Sequence, residues 1–205
     1  MIHHYLCAGD ATAYARGFGI EFMPTASGQR IRPGERGVFV RRPRADHPGS
    51  LRPPAPFEVV SGRWGLIPLF SQDGADPLFE ARAETASSER NFHQPWKRGH
   101  RCVVLADALF EDTGAPDRLL CHRRADGRPL AIAGLWNGWR SPQEECVESF
   151  ALLTIRLDGS ERRQAALLQD AWLEDWLSCP VEETSAYLRP YAQRSDLVTQ
   201  EVERA

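Results

Sequence analysis

Four runs of this chain are apolar with little polar interruption: Phe57 to Leu69, His100 to Phe110, Pro129 to Trp139 and Ser149 to Leu157. They are short and rich in valine, isoleucine, leucine and aromatic residues, so each reads as a strand. Cys-Val-Val-Leu-Ala at the centre of the second run marks that strand as buried. Gln29 to Arg42 alternates around Pro33–Gly34 and predicts a strand or hairpin arm. Leu119 to Arg123, the turn Ala125–Asp126–Gly127 and Pro129 to Trp139 together predict a β-hairpin, because Asp-Gly tolerates positive φ.

A second rhythm, near 3.6, marks short helices. Ala171 to Leu177 gathers Trp172, Leu173, Trp176 and Leu177 on one face. Asp10 to Phe18 has Asp10 as N-cap and Gly17 and Gly19 near its end. Ala83 to Glu89, Phe92 to Arg98 and Val181 to Leu188 suit further short helices. Pro43 to Pro56, with its five prolines, and Ser71 to Pro77 are loops, and the polar tail over 190–205 is expected to fray. Antiparallel strands with short helices between them define an α+β layout.

At 205 residues the chain is the size of one domain. No stretch reaches the roughly 20 apolar residues of a membrane span, and the start lacks a secretory pattern, so a cytoplasmic monomer with no membrane contact is expected. Cys7, Cys102, Cys121, Cys146 and Cys179 are odd in number and widely spaced, without a CxxC pair. They predict reduced, mostly buried thiols, with no disulfide framework, metal or cofactor. The net charge of −3 advertises no global field for nucleic acid, although a local groove remains open. Lys97 is the one lysine against 24 arginines, which lowers the meaning of any single arginine. Arg41, Arg42 and Arg44 read as solvated surface. His93 and His100 read as exposed or hydrogen-bonded histidines, and His3, His4 and Cys7 have the chemistry of at most half a metal site.

Six segments stand out in order: IRPGE from Ile31, RWGLIP from Arg63, ARAETASSERNF from Ala81, WKRGHRCVVLADALFED from Trp96, RADGRPLAIAGLW from Arg124 and SFALLTIRLDG from Ser149. Together they resemble the SRAP family, the SOS-response-associated peptidase-like proteins that act on abasic sites in single-stranded DNA. The resemblance covers roughly residues 29–177. It implies a single SRAP-like domain over residues 1–205, a mainly antiparallel β-barrel-like core with short surrounding helices, and a DNA channel on one face.

The family chemistry implied is covalent. An N-terminal cysteine presents an amine that attacks the ring-opened abasic aldehyde, and its thiol then closes a thiazolidine. In this sequence the second position is Ile2. Cys7 has no free α-amine to take its place. The resemblance puts Arg30 and Glu80 where the family has asparagines, His4 where it has an arginine, and Ser160 or Glu161 where it has a catalytic histidine. The retained positions are Glu111, matching the family's acid/base carboxylate, Arg82 and Arg90, matching phosphate-holding arginines, and Phe70, matching one of two wedging aromatics. Trp64, Pro33 and Trp136 match scaffold positions.

Each retained residue also has a plain structural reading. Glu111 serves as a structural carboxylate, Arg82 and Arg90 as surface cations, and Phe70 as a loop-edge aromatic. The expectation is a catalytically inactive family member related to abasic-site processing in the DNA damage response, a pseudoenzyme that binds single-stranded DNA weakly or a protein partner. The alternatives are a divergent active abasic-site protein or peptidase, and an unrelated α+β enzyme. Ile2 is too bulky for efficient methionine removal, so intact-mass analysis is expected to show Met1 retained. A mature chain beginning at a cysteine contradicts the inactive reading.

Overall fold

The computed structural model describes residues 1–8, 28–44, 56–157, 162–191 and 196–204. The helix expected over Asp10 to Phe18, most of the proline-rich loop, and Ser160 and Glu161 lie outside the described residues. The strands are β1 (Ile2–Cys7), β2 (Arg30–Ile31), β3 (Arg36–Arg41), β4 (Glu58–Trp64), β5 (Glu80–Arg82), β6 (Arg101–Asp112), β7 (Arg118–Arg124), β8 (Leu130–Arg140), β9 (Cys146–Arg156), β10 (Arg163–Ala165), β11 (Leu167–Leu168) and β12 (Leu197–Glu203). The helices are α1 (His93–Lys97) and α2 (Leu173–Ser178), with 3₁₀ turns at Asp170–Trp172 and Val181–Tyr187. Among the described residues, no helix is long and apolar enough to cross a membrane.

Strands β6, β8, β9, β4 and β3 pair in that order, and β3 returns to β6 through Val40↔Val103 and Arg41↔Cys102, closing a five-stranded barrel. All of these pairings are antiparallel except β4 with β9. The mainly antiparallel barrel with few short helices is the architecture expected from the sequence.

Alternate side chains on each barrel strand go to one of two cores. Phe39, Trp64, Cys102, Val104, Ile132, Phe150 and Leu152 fill the inner face, as the small lumen of a five-stranded barrel requires. Val40, Val103, Leu105, Ala133, Leu135, Ala151 and Leu153 form the outer face. Phe92 and Trp96 at α1, and Leu173, Trp176 and Leu177 of α2, cover it. Both faces of β6, β8 and β9 are therefore dry, which explains their continuous apolar runs. At Gly134 an added Cβ would meet the Ala151 carbonyl oxygen and the Cys102 sulfur, each at 2.8 Å. Only glycine lets the strands approach there.

Arg101 is buried and fastens the helical cover to β6. Its Nε donates to the Trp176 carbonyl at 2.6 Å, Nη1 donates to Thr184 Oγ1 at 2.8 Å, and Nη2 donates to the Cys179 carbonyl. The Trp176 indole N–H donates in turn to the Cys102 carbonyl at 3.0 Å. The bonds to Trp176 and Cys179 satisfy carbonyls at the end of α2 that the helix cannot pair internally.

Three local expectations are corrected. The segment before α1 is a series of turns, not a helix over Ala83 to Glu89. Ser88 Oγ bonds the Thr85 carbonyl, and such side chains compete with helical backbone bonding. Asp126–Gly127 is a turn, with Gly127 at φ +72°, but it does not close a hairpin. β7 and β8 both pair with β6, at successive stretches of it: Leu109↔His122 to Asp112↔Leu119, and Arg101↔Leu135 to Ala106↔Leu130. The polar tail does not fray throughout, because β12 pairs along β7 from Leu197↔Arg124 to Glu203↔Arg118. Its backbone supplies this edge, so the strand needs little apolar patterning.

Trp64, Leu105, Trp136 and Trp176 are all buried, as their apolar settings predict. Trp176→Ala removes both a buried ring and the indole bond, and is expected to cost about 3–5 kcal/mol. Urea unfolding followed by circular dichroism measures that loss. An unchanged midpoint would place Trp176 outside the cooperative core.

Candidate functional site

The first strand lies antiparallel along the far half of β6, in the register Ile2↔Glu111 and Tyr5↔Leu109. This places Ile2 at the head of a cleft of about 670 Å³ that Glu80, Arg82, Asp112, Thr154 and Arg163 also line. Ile2 is buried, and its N–H donates to Glu80 Oε1 at 2.5 Å. β5 carries Glu80 and Arg82 into the cleft by pairing parallel to β9 through Glu80↔Leu152 and Arg82↔Thr154.

Burial raises the Glu80 carboxyl above its ordinary pKa, and the negative charge of Glu111 adds to the shift. The Ile2 N–H, the chain's terminal ammonium and Arg163 oppose it. Arg163 is itself committed: Nη2 donates to the Thr154 carbonyl at 2.7 Å and to Glu84 Oε2 at 2.6 Å. Arg82 is exposed and has no carboxylate partner among the described residues.

Glu111 is buried beside this cleft and is not part of its lining. Its Oε1 accepts the Ala165 N–H at 2.7 Å. Its Oε2 lies 3.3 Å from His122 Nε2, close enough for an ion pair if the imidazole is protonated, although His122 Nε2 makes no hydrogen bond. His122 Nδ1 lies 2.9 Å from Thr199 Oγ1 on β12. His122 lies outside the motifs read from the sequence. Its place in β7, four positions before Asp126, gave no signal without the β6–β7 register.

Arg90 and Phe70 belong to a different hollow. The Arg90 guanidinium sits 4.2 Å from the Phe70 ring centroid, and Phe70 is 48% exposed. Arg82 and Arg90 thus line different hollows among the described residues. His4 is buried and stacked on Phe110 at 4.1 Å. Burial, then His3, Arg30 and Arg32, push it down to about 4, so it is neutral where an arginine was implied. Cys7, Cys102 and Cys121 are buried and in no disulfide, while Cys146 is exposed and Cys179 partly so.

The sequence profile of the SOS response associated peptidase (SRAP) family matches residues 5–205, and the chain belongs to that family. Similar proteins include abasic site processing protein HMCES of Mus musculus, 24% identical over 47% of this chain and 37% of that protein. HMCES of Gallus gallus is 26% identical over 64% of this chain and 49% of its own length. Abasic site processing protein YedK of Escherichia coli is 30% identical over 56% of this chain and 52% of its own length. The matches thus span about half or less of these relatives. Among solved structures, a Bordetella bronchiseptica protein shares 29% identity at TM-score 0.79, covering 98% of this chain and 99% of that one. A Bacteroides thetaiotaomicron protein at 18% identity and TM-score 0.72, covering 97% of this chain and 91% of that one, has the same fold.

The half-buried carboxylate of Glu80 makes the cleft pH-sensitive. A raised folded-state pKa at Glu80 means that its contribution to stability is complete below the unfolded pKa and lost as pH rises through the folded value. Glu80→Gln keeps an acceptor for the Ile2 N–H and removes the buried charge. The variant is expected to melt above wild type at neutral pH, with the gap closing as pH falls to the ordinary carboxylate range near about 4. Thermal melts across that range check it. A gap that widens on acidification contradicts the assignment.

Proposed function

We propose that this SRAP chain is a monomeric, cytoplasmic protein related to abasic-site processing that binds single-stranded DNA weakly and does not crosslink to it. The reading is carried by the cleft at Ile2, whose lining holds no thiol and no imidazole among the described residues. An aliphatic side chain fills the position that the family resemblance gives to the nucleophile. Cys7 is buried within a strand and has no amine on the same carbon frame. Proton transfer from a retained carboxylate contributes at most about 10²- to 10⁴-fold, and only once a nucleophile exists. Exposed Phe70 under Arg90, together with Arg82, supports binding, since an aromatic face and guanidinium groups take bases and phosphates without reading sequence. Glu80 and Glu84 weaken it by repelling phosphate. A protein partner is the second candidate for the same surface.

One feature favours residual chemistry. His122 stands 3.3 Å from Glu111, an imidazole beside the family carboxylate, supplied by another strand. The alternative of a divergent active protein therefore has a distinct test. Incubation with abasic single-stranded DNA is expected to leave no heat-stable adduct on a denaturing gel. An adduct formed by wild type and lost on Cys7→Ala overturns the inactive reading.

Binding to single strands is expected at micromolar or weaker affinity, on the order of non-specific association, with a steep salt dependence from counterion release. Replacing Arg82 and Arg90 together by alanine is expected to lower affinity and flatten the salt slope by about one to two units. Nanomolar binding to abasic DNA contradicts this, and no binding at low salt transfers the surface to a protein partner.

A further inference from the structure

A second, positively charged hollow of about 540 Å³ lies away from the Ile2 cleft, beside the end of α1. Arg42, Arg44, Arg98 and Arg101 line it, with His100 and Trp136, and its lining contains no aspartate or glutamate among the described residues. It shares no lining residue with the Ile2 cleft. The four arginines differ in how far they are committed. Arg101 spends its donors on carbonyls and Thr184. Arg44 pairs with Glu148 at 2.9 Å yet keeps a third of its side chain exposed. Arg42 and Arg98 are exposed and have no carboxylate partner among the described residues.

The hollow is built rather than incidental. Trp136 is buried, with His100 stacked on one side at 4.1 Å and 10°, and the Arg41 guanidinium 4.0 Å from its ring centroid. Arg41 is neutralised by Glu58 at 2.8 Å and Glu148 at 3.0 Å. The Arg44 guanidinium also lies 5.1 Å from the Trp136 ring and occupies the space where a Cβ on Gly138 would stand. Residue 138 must therefore be glycine for Arg44 to lie across β8. The positive field has an internal witness in His100, which burial first, then Arg98, Arg44 and Arg41, push down to about 4. A side chain in that field is neutral at working pH, so the hollow's charge comes from its arginines alone.

Arg42 and Arg98, held without carboxylates, and Arg44, whose guanidinium stays a third exposed beside Trp136, are matched by phosphate oxygens. We propose that Arg42, Arg44 and Arg98 form a phosphate-binding site. Leu69 and Arg98 also line the hollow that carries Phe70 and Arg90, so the two surfaces are continuous. On the reading that the chain binds single strands, the site holds a backbone phosphate of the strand whose base lies at Phe70. A terminal phosphate is the other source of the same chemistry.

The test uses the full chain in two arms. In the first, inorganic phosphate is titrated at constant ionic strength while amide and imidazole resonances are followed. Saturable shifts at Gly99, Gly138 and His100 are expected, with the His100 pKa rising as an anion enters. Arg42→Ala/Arg98→Ala abolishes them. Gly138→Ala, which displaces Arg44 without changing charge, weakens them. Shifts that are absent, or that persist unchanged in the double variant, overturn the site. In the second arm, a labelled oligothymidylate without abasic sites is bound with and without a 5′-phosphate. The double variant is expected to lose roughly tenfold in affinity and to lower the salt slope by about one to one and a half units. An affinity that gains tenfold or more from the 5′-phosphate reassigns the site to a strand end and overturns the backbone assignment. An affinity unaffected by the double variant overturns the strand as the source. If wild type binds no oligonucleotide, the single-strand reading falls, and the phosphate arm still decides the site.

Discussion

Strand β6 carries hydrogen-bonded partners along both edges, and the rest of the molecule depends on that double use. One edge takes β3 and then β1, and the other takes β8 and then β7. At its first half the pairing closes the barrel, where Val103 faces both Val40 and Ala133. At its second half it builds the site region, where Leu109 faces both Tyr5 and His122. Its first residues also receive the helical cover, through Arg101 and the Cys102 carbonyl. A strand so enclosed is apolar through Cys102–Ala106 and Ala108–Phe110, with Asp107 between them, and ends on Glu111 and Asp112.

The barrel was legible because its strands announce themselves by composition. Cys-Val-Val-Leu-Ala and Phe-Ala-Leu-Leu cannot be solvated on either face, and α2 shows its apolar stripe openly. Pairing partners were not legible. Asp126–Gly127 has the chemistry of a hairpin turn and makes a turn, but β6 offers β7 and β8 successive stretches of the same edge. That choice depends on β6 being long enough to serve both, which no local window contains. The tail was misread for a related reason, since β12 is held by backbone bonds to β7 and its side chains carry little pattern.

The site was legible in part. Glu111, Arg82, Arg90 and Phe70 could be named from motif order, but motif order does not separate a cleft from the surface beside it. The structure places Arg82 in the Ile2 cleft and Arg90 over Phe70 in another hollow. It also gives Glu111 two internal neighbours, the Ala165 N–H and His122. The arginine excess blurred the rest. Arg41, Arg42 and Arg44 look alike in sequence, yet Arg41 is buried between two glutamates, Arg44 lies across Gly138, and Arg42 stays exposed.

Ile2 ties the cleft to the stability of the fold. The residue is now a core component, buried, with its N–H fixed to Glu80. A small thiol at that position sheds buried methyl surface, and trimming a buried aliphatic side chain costs stability even when the fold tolerates it. Glu80, shaped to accept from this backbone, offers a raised carboxyl where an amide side chain is implied by the family resemblance. The side chain that heads the cleft is thus also one on which the fold rests.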